Sequence, residues 1–250
     1  MIEIILNEIN KKIKENIPIQ TEDQKNRMYK IINSNNPDFQ MFGLKMKKKE
    51  SIAKEIFKKY QGSYMDAIEI FKVLIRSNNE DEQVLGLLFL NNYKNQFNKE
   101  IIDIFHNEYS QYCSTWSLCD STCIKVLGPY LNKKGNEKLA KITIEEWSNS
   151  KNIWIRRASM VILLKLIMLR KDFFISKEFM FELVEKMLQY TNEDYILKGI
   201  GWLLKTCSNY KPEIIIEYLN KNKGHLPRLV LRYASEKLSK DVRATILKKN

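Results

Sequence analysis

The sequence predicts an all-α protein made of stacked helical pairs, and three observations support this fold class. Apolar residues recur at helical spacing through nearly all of the 250-residue chain. Only 8 Gly and 5 Pro are present, fewer than parallel sheets and tight-turn β folds use. Similar helix-opening segments return at intervals of about 35–40 residues, a period typical of helical-repeat proteins. No segment alternates apolar and polar residues as a strand would.

The apolar spacing predicts a succession of helices joined by short polar connections, such as Asn78–Asn79 and Asn132–Gly135. Ser150, Ser176 and Thr191 are residue types that favour helix N-termini, and we expect each to begin a helix. In chain order, the predicted helices cover residues 2–15, 21–33, 45–60, 64–77, 81–95, 98–110, 115–131, 136–149, 153–170, 176–190, 193–208, 212–221 and 226–238.

The repeat is carried by segments that open a helix after a polar break. They are Asp81–Leu88, Trp116–Ser121, Trp154–Ser159, Tyr195–Trp202 and Leu226–Tyr233. A period of this length predicts two helices per HEAT-like repeat, in one repeat domain that spans residues 1–250. A solenoid of such pairs, an α-α superhelix, curves and offers its concave side as an extended binding surface.

Small residues lie inside these repeat helices. Gly in a helix destabilises it by about 1 kcal/mol relative to Ala, so a reason for keeping it is needed. We expect close approach of neighbouring helices at these positions, which are Gly86, Ala158, Gly199, Gly201 and Ala234.

The formal net charge is +12, with a pI near 9.3, which favours a polyanionic partner. Nucleic acid is the first candidate and an acidic membrane surface the second; a generally Lys-rich composition is the structural alternative. The N-terminal stretch Met1–Asn16 is amphipathic and acidic in places, unlike a signal peptide. The longest apolar run, Val161–Leu169, is interrupted by Lys165 and too short to span a membrane. We therefore expect a cytoplasmic protein.

Aromatic and charged residues fall at the starts of successive repeat helices. Trp116 and Asp120 are four residues apart and share a helix face. Trp154 and Arg157, three apart, do the same in the next repeat. Two further sets follow: Lys198, Trp202 and Lys205, then Arg228 and Arg232. Stacked repeats would join these faces into one strip of indole rings and cations with a single carboxylate.

Such a strip suits a DNA backbone, except for Asp120. Lys and Arg contact phosphates, and indoles pack against sugars or bases. An ionised carboxylate is repelled by phosphates, so its presence indicates that it stabilises a positive charge. A positive centre forms when an N-glycosidic bond breaks and the sugar becomes oxocarbenium-like. A cationic alkylated purine leaves as a neutral base and needs no general acid, which fits a strip without either histidine, His106 or His225.

Each residue of the strip also has a structural interpretation. A single Trp in a helix is about as often part of the core as of a binding surface. Asp120 would also suit a helix N-terminus, where the dipole stabilises negative charge. Arg156 and Arg157 would be solvated or paired with Glu145 or Glu146. The charge run Lys45, Lys47, Lys48 and Lys49 is interpreted as a solvated helix start that can touch DNA phosphates.

Several motifs resemble the AlkD-type family of DNA alkylation repair enzymes. They are Trp116–Ser121 followed by Val126–Leu131, then Asn152–Ala158, and Lys198–Lys205. The resemblance covers residues from about 80 to 240, and Phe42–Lys45 matches the family's N-terminal motif imperfectly.

The resemblance implies a C-shaped HEAT-like solenoid that holds duplex DNA in a basic concave groove and hydrolyses N3- and N7-alkylpurines without a base-flipping pocket. By motif, Asp120 is the expected catalytic carboxylate, Trp116 and Trp202 hold the backbone of the lesion, and Arg157 contacts a phosphate or the backbone. The family also supplies an N-terminal aromatic residue, often Tyr, that reaches DNA, and the matching stretch here is Asp38–Phe42. The expected DNA contacts are Lys45, Trp154, Arg156, Lys198, Lys205, Arg228 and Arg232.

No metal, cofactor or membrane is expected to take part, and the protein is expected to be a monomer. The spacing of Cys113, Cys119 and Cys123 lacks a zinc-binding pattern, so these residues and Cys207 are interpreted as small buried thiols. Two other functions compete with the glycosylase. One is a non-catalytic HEAT-repeat binder of damaged or branched DNA, and the other is a protein–protein adaptor on the same scaffold.

Overall fold

The computed structural model describes residues 1–60 and 62–248, and the regular secondary structure in those ranges is helical throughout. The α-helices are α1 (Ile2–Glu15), α2 (Glu22–Ile32), α3 (Met46–Tyr60), α4 (Tyr64–Ile75), α5 (Glu80–Asn91), α6 (Glu100–Tyr112), α7 (Trp116–Thr122), α8 (Gly128–Leu131), α9 (Glu137–Ser148), α10 (Ile153–Arg170), α11 (Lys177–Met187), α12 (Asp194–Ser208), α13 (Pro212–Asn222), α14 (Arg228–Ala234) and α15 (Lys240–Leu247). Within those ranges, the only β-type pairing is one isolated bridge between Gln40 and Asn79. The predicted all-α class is confirmed.

The predicted helix 115–131 is interrupted by a turn of π-helix, Cys123–Leu127, between α7 and α8. Pro129 lies two residues after this turn. Proline has no backbone N–H, and its ring would meet the carbonyl of Lys125, four residues earlier, in a regular α-helix. A π turn displaces that carbonyl, so the chain accommodates the proline without ending the helix. Helix α15 was not predicted, and α14 is shorter than the predicted 226–238.

The helix contacts divide the chain into two compact units, which we describe separately, Met1–Val126 and Leu127–Asn250. In the first unit, α5 lies at the centre and packs on α1, α3, α4 and α7. Gly86 faces α4 so closely that a Cβ on it would lie 2.8 Å from the Cβ of Leu74. The contact between α4 and α5 therefore requires glycine, as expected from the sequence.

In the second unit, α10, α12 and α14 pack in series, while α9 packs on α10 and α13 on α12. This arrangement of paired helices agrees with the repeat predicted from the period. A Cβ on Gly201 would lie 2.4 Å from the Cβ of Tyr233, and one on Gly199 would lie 2.7 Å from the Cε of Met160. The close approach predicted at both glycines is confirmed.

Polar side chains fix several helix N-termini. Ser176 caps α11 as predicted, because its hydroxyl accepts a hydrogen bond from the N–H of Phe179 at 3.2 Å. The predictions for Ser150 and Thr191 are wrong by two residues, since the N-cap residues of α10 and α12 are Asn152 and Glu193. The side chain of Asn152 accepts bonds from two backbone N–H groups of α10, which Ser150 lies too far back to reach.

All four cysteines are buried thiols, in agreement with the sequence-based interpretation. Among residues 1–60 and 62–248, every helix is too short or too polar to cross a membrane.

Candidate nucleic-acid interface

The N-terminus of α7 is held in place by its own cap and by hydrogen bonds to the end of α2 and the residues that follow it. The hydroxyl of Thr115 caps α7 by accepting from the N–H of Leu118 at 3.2 Å. The hydroxyl of Ser34 donates to the carbonyl of Ser114 at 3.1 Å. The indole N–H of Trp116 donates to the carbonyl of Ile31 at 3.2 Å. Because its polar edge is fixed in this way, the half-buried ring of Trp116 is presented in one orientation.

Asp120 follows Trp116 by one turn of the same helix, so the two side chains lie on one face. Asp120 is only 8% exposed. Burial raises the pKa of the neighbouring Cys123 thiol well above its usual range, and the contact with Cys119 and the charge of Asp120 raise it further. The carboxylate therefore lies in a poorly solvated environment, where charge–charge interactions are stronger than in water.

Tyr29 is an exposed aromatic residue of this unit that the sequence analysis missed. Tyr29 lies on α2, two residues before Ile31, whose carbonyl accepts the hydrogen bond from Trp116. Tyr29 is 39% exposed. Its hydroxyl accepts from the N–H of Met41 at 3.2 Å, and its ring meets Phe39 edge-to-face at 5.9 Å. Within the stretch Asp38–Phe42, Phe39 is buried and Phe42 is half-buried. Tyr29 is a large aromatic residue in the polar helix 22–32, and this pattern could have identified it from the sequence.

The lysines of the charge run that begins at Lys45 differ in their exposure to solvent. Lys45, Lys47 and Lys48 are exposed, and Lys45 therefore stays a candidate for a phosphate contact. Lys49 is buried, and its ammonium lies 2.7 Å from the carboxylate of Asp81. The interpretation of the whole run as solvated is wrong at Lys49, because this helix position faces α5 rather than solvent.

In the second unit, Tyr195 joins three of the predicted site residues. Its ring packs against that of Trp154 at 5.1 Å between centroids, and the ammonium of Lys198 lies 5.4 Å from the same ring. Its carbonyl accepts a hydrogen bond from the guanidinium of Arg157. Arg157 is 5% exposed, so it is a buried cation that the backbone of α12 holds in position.

Two of the expected DNA contacts are corrected by the structure. Trp154 is only 2% exposed, because it is packed within the helical layer against Tyr195. Arg156 is 3% exposed and is paired with both carboxylate oxygens of Glu193, not with Glu145 or Glu146. Its guanidinium also stacks over the ring of Tyr190 at 4.0 Å. Both side chains therefore support packing between repeats and do not reach a DNA surface in this structure.

The remaining cations of the strip are accessible. Lys198 and Lys205 are half-buried and lie near acids, with Asp194 at 3.7 Å and Glu236 at 3.1 Å. Such partly exposed pairs contribute little to stability and can exchange an acid for a phosphate. Trp202, between them in sequence, is half-buried, and Arg228 and Arg232 on α14 are exposed.

The positive charge is distributed unevenly along the chain. Residues 1–126 contain 18 Lys and Arg against 17 Asp and Glu, a net charge of +1. Residues 127–250 contain 24 against 13, a net charge of +11. The excess that indicated a polyanionic partner therefore belongs almost entirely to the second unit.

Comparison with known proteins supports one family. The family model described as "DNA alkylation repair enzyme" matches residues 11–238. The solved structure of a predicted DNA alkylation repair enzyme from Enterococcus faecalis superposes with a TM-score of 0.71 at 17% sequence identity, covering 90% of this chain and 99% of that one. At this identity the structural match establishes the shared fold alone. Comparison with curated proteins finds no significant match.

Proposed function

Because this chain belongs to the DNA alkylation repair enzyme family, we propose that it is a DNA glycosylase that releases cationic N3- and N7-alkylated purines from duplex DNA. Membership of the family gives the protein a role in the repair of alkylated DNA, with DNA as its partner. The bond that it breaks, and the residues that act, are the proposed part.

The observation that carries the proposal is the placement of Asp120. Its carboxylate is 8% exposed and shares a helix face with the fixed indole of Trp116. In the proposed reaction the C1′–N9 bond breaks, its electron pair neutralises the cationic purine, and positive charge develops on the sugar. The Asp120 carboxylate stabilises that charge and orients the water that adds to C1′. Water supplies the hydroxyl group of the product and releases one proton.

We assign supporting roles by motif and exposure. Trp116 and Trp202, both half-buried indoles, contact the backbone at the lesion. Arg157 is 5% exposed, so in place of the direct phosphate contact expected from the sequence we assign it a fixed positive charge behind the surface. Tyr29 is our candidate for the N-terminal aromatic that reaches DNA. Lys45, Lys198, Lys205, Arg228 and Arg232 bind phosphates and set the register of the protein on the duplex.

The test is the release of N3-methyladenine and N7-methylguanine from methylated duplex DNA by wild-type protein and by Asp120→Asn. The substitution keeps the shape of the side chain and removes its charge. We expect release to fall by at least about a hundredfold, the scale of losing one electrostatic contact to a transition state. DNA affinity should be equal or higher, since a repulsive charge is lost.

Asp103→Asn is the matched control, because Asp103 is an exposed carboxylate of the same unit; it should release base at the wild-type rate. Base release by Asp120→Asn at the wild-type rate contradicts the catalytic assignment. Wild-type protein that binds DNA in a salt-dependent way and releases no base favours the non-catalytic binder instead.

A further inference from the structure

The last helices of the chain contain a concentration of positive charge. Residues 221–248 hold eight Lys and Arg but only two acids, Glu236 and Asp241. Glu236 is already paired with Lys205 at 3.1 Å. Most of the positive charge of this region therefore lacks a carboxylate in its own sequence neighbourhood.

Three of these cations line one cleft of about 290 Å³, between the turn after α13, α14 and α15. Lys223, Arg228 and Lys248 supply the charged part of its lining, and no acid is among the residues that line it. The apolar part comes from Leu226, Leu231 and Ile246. The volume is below the roughly 300–1,000 Å³ of sites for drug-sized ligands, and suits one or two small groups.

One wall of the cleft is held in place by Arg228. The guanidinium of Arg228 donates a hydrogen bond to the carbonyl of Leu247, at the end of α15. Arg228 thereby satisfies a helix-terminal carbonyl and holds Lys248, the next residue, at the cleft. Helix α15 begins at Lys240, beyond residue 238 where the family match ends. This wall therefore lies outside the residues that the family model matches.

Among the residues that the structure describes, none neutralises the cations of the cleft. Across residues 1–60 and 62–248, no carboxylate lies within ion-pair distance of Lys223, Arg228 or Lys248. Three cations around one cleft favour an anionic ligand. A phosphate of the DNA backbone is such an anion, and membership of the repair family makes DNA the polyanion that the protein meets.

We propose that this cleft binds a phosphate of the DNA backbone, as a contact additional to that at the reacting nucleotide. The inference rests on DNA as the partner of the protein, but not on base release. The phosphate lies against Lys223, Arg228 and Lys248, whereas Leu226, Leu231 and Ile246 are buried and form the floor beneath these side chains. The contact strengthens binding to DNA of any sequence.

The test measures binding of unmodified duplex DNA by the full chain at several salt concentrations. The variant is Lys223→Gln with Lys248→Gln, which leaves the bond from Arg228 to α15 intact. Each lost phosphate contact reduces the slope of log K against log salt by about 0.9. Because one phosphate contact is lost, we expect the slope to fall by about 0.9, with affinity about tenfold weaker near 0.1 M salt. Lys54→Gln with Lys58→Gln, two exposed lysines of α3, is the control with the same change of charge.

An unchanged slope in the Lys223 and Lys248 variant, or an equal fall in the control, overturns the proposal. So does a variant that keeps its affinity for DNA but loses affinity for vesicles of phosphatidylserine, because the anion would then be a lipid headgroup. Since the DNA carries no lesion, this outcome is independent of the glycosylase test. A wild-type protein without base release leaves the cleft proposal standing.

Discussion

The carboxylate of Asp81 and the ammonium of Lys49 form an ion pair at 2.7 Å in the interior of the first unit. The same carboxylate accepts hydrogen bonds from the backbone N–H groups of Phe42, Gly43 and Leu44, at 2.6, 3.0 and 3.1 Å. Gly43 has φ of +81°, which favours glycine at this turn. One acidic side chain of α5 therefore fixes the turn that leads into α3.

Removing the charge of Asp81 should destabilise the protein. Asp81→Asn leaves Lys49 as a buried cation without its partner and weakens the three bonds to the turn. Breaking a buried ion pair from one side typically lowers the free energy of unfolding by about 3–5 kcal/mol. Urea denaturation followed by circular dichroism measures the change. The exposed Asp103→Asn serves as reference, and a loss no larger than in that variant would contradict the role of Asp81.

Gly201→Ala should also destabilise the protein, through packing. The new Cβ would lie 2.4 Å from the Cβ of Tyr233 and 3.3 Å from the carbonyl oxygen of Val230, so α12 and α14 must separate. Overpacking of this kind lowers the unfolding free energy by about 1–3 kcal/mol. Gly224→Ala is the matched control, because nothing lies within 4 Å of its added Cβ. Equal melting temperatures for the two variants would argue against close packing of α12 on α14.

The four tryptophans should divide into two classes by solvent access. Trp147 and Trp154 are buried, whereas Trp116 and Trp202 are half-buried. In variants that keep one tryptophan each, we expect acrylamide to quench the fluorescence of Trp116 and Trp202 more strongly. Bound duplex DNA should then protect these two and leave Trp154 unchanged. If DNA instead protects Trp154 from quenching, Trp154 contacts DNA and the correction based on its burial is wrong.

The buried thiols should be unreactive in the folded protein. Burial raises the pKa of Cys207 to about 12, and also raises the pKa of Cys123 well above its ordinary value. Because the thiolate is the reactive form, we expect slow reaction with a disulfide reagent at pH 8 and fast reaction in urea. Between the unfolded pKa of about 8.5 and the raised folded pKa, the folded protein holds more protons, so its stability falls as pH rises. A pH-independent unfolding free energy from pH 8 to 10 would contradict these shifts.

The helices and their repeat could be predicted from the sequence because they depend on local patterns. The apolar spacing located α10 and α12 closely, and the helical glycines at 86, 199 and 201 marked helix contacts. Helix α15 was missed because it buries little apolar surface, with Ile246 its only buried residue within the described chain.

Side-chain partners could not be predicted in the same way, because they join residues far apart in sequence. The pairing of Arg156 with Glu193 spans 37 positions, and that of Lys49 with Asp81 spans 32. Trp154 and Trp116 each begin a repeat helix, yet one is buried and the other is not. Helical spacing gives the face on which a residue lies, whereas neighbouring helices decide whether that face is covered.

The net charge is +1 in the first 126 residues and +11 in the rest, so the part of the chain that attracts DNA is separate from the part that contains Asp120, the proposed catalytic residue. A polyanion is drawn to the second half of the chain first, so the rate of association should be set there and should slow steeply as salt is added. Asp120 belongs to the almost neutral half, where a carboxylate adds little to the total repulsion. Salt should therefore control the rate at which DNA binds. It should leave the rate of the proposed cleavage of the glycosidic bond in bound DNA unaffected.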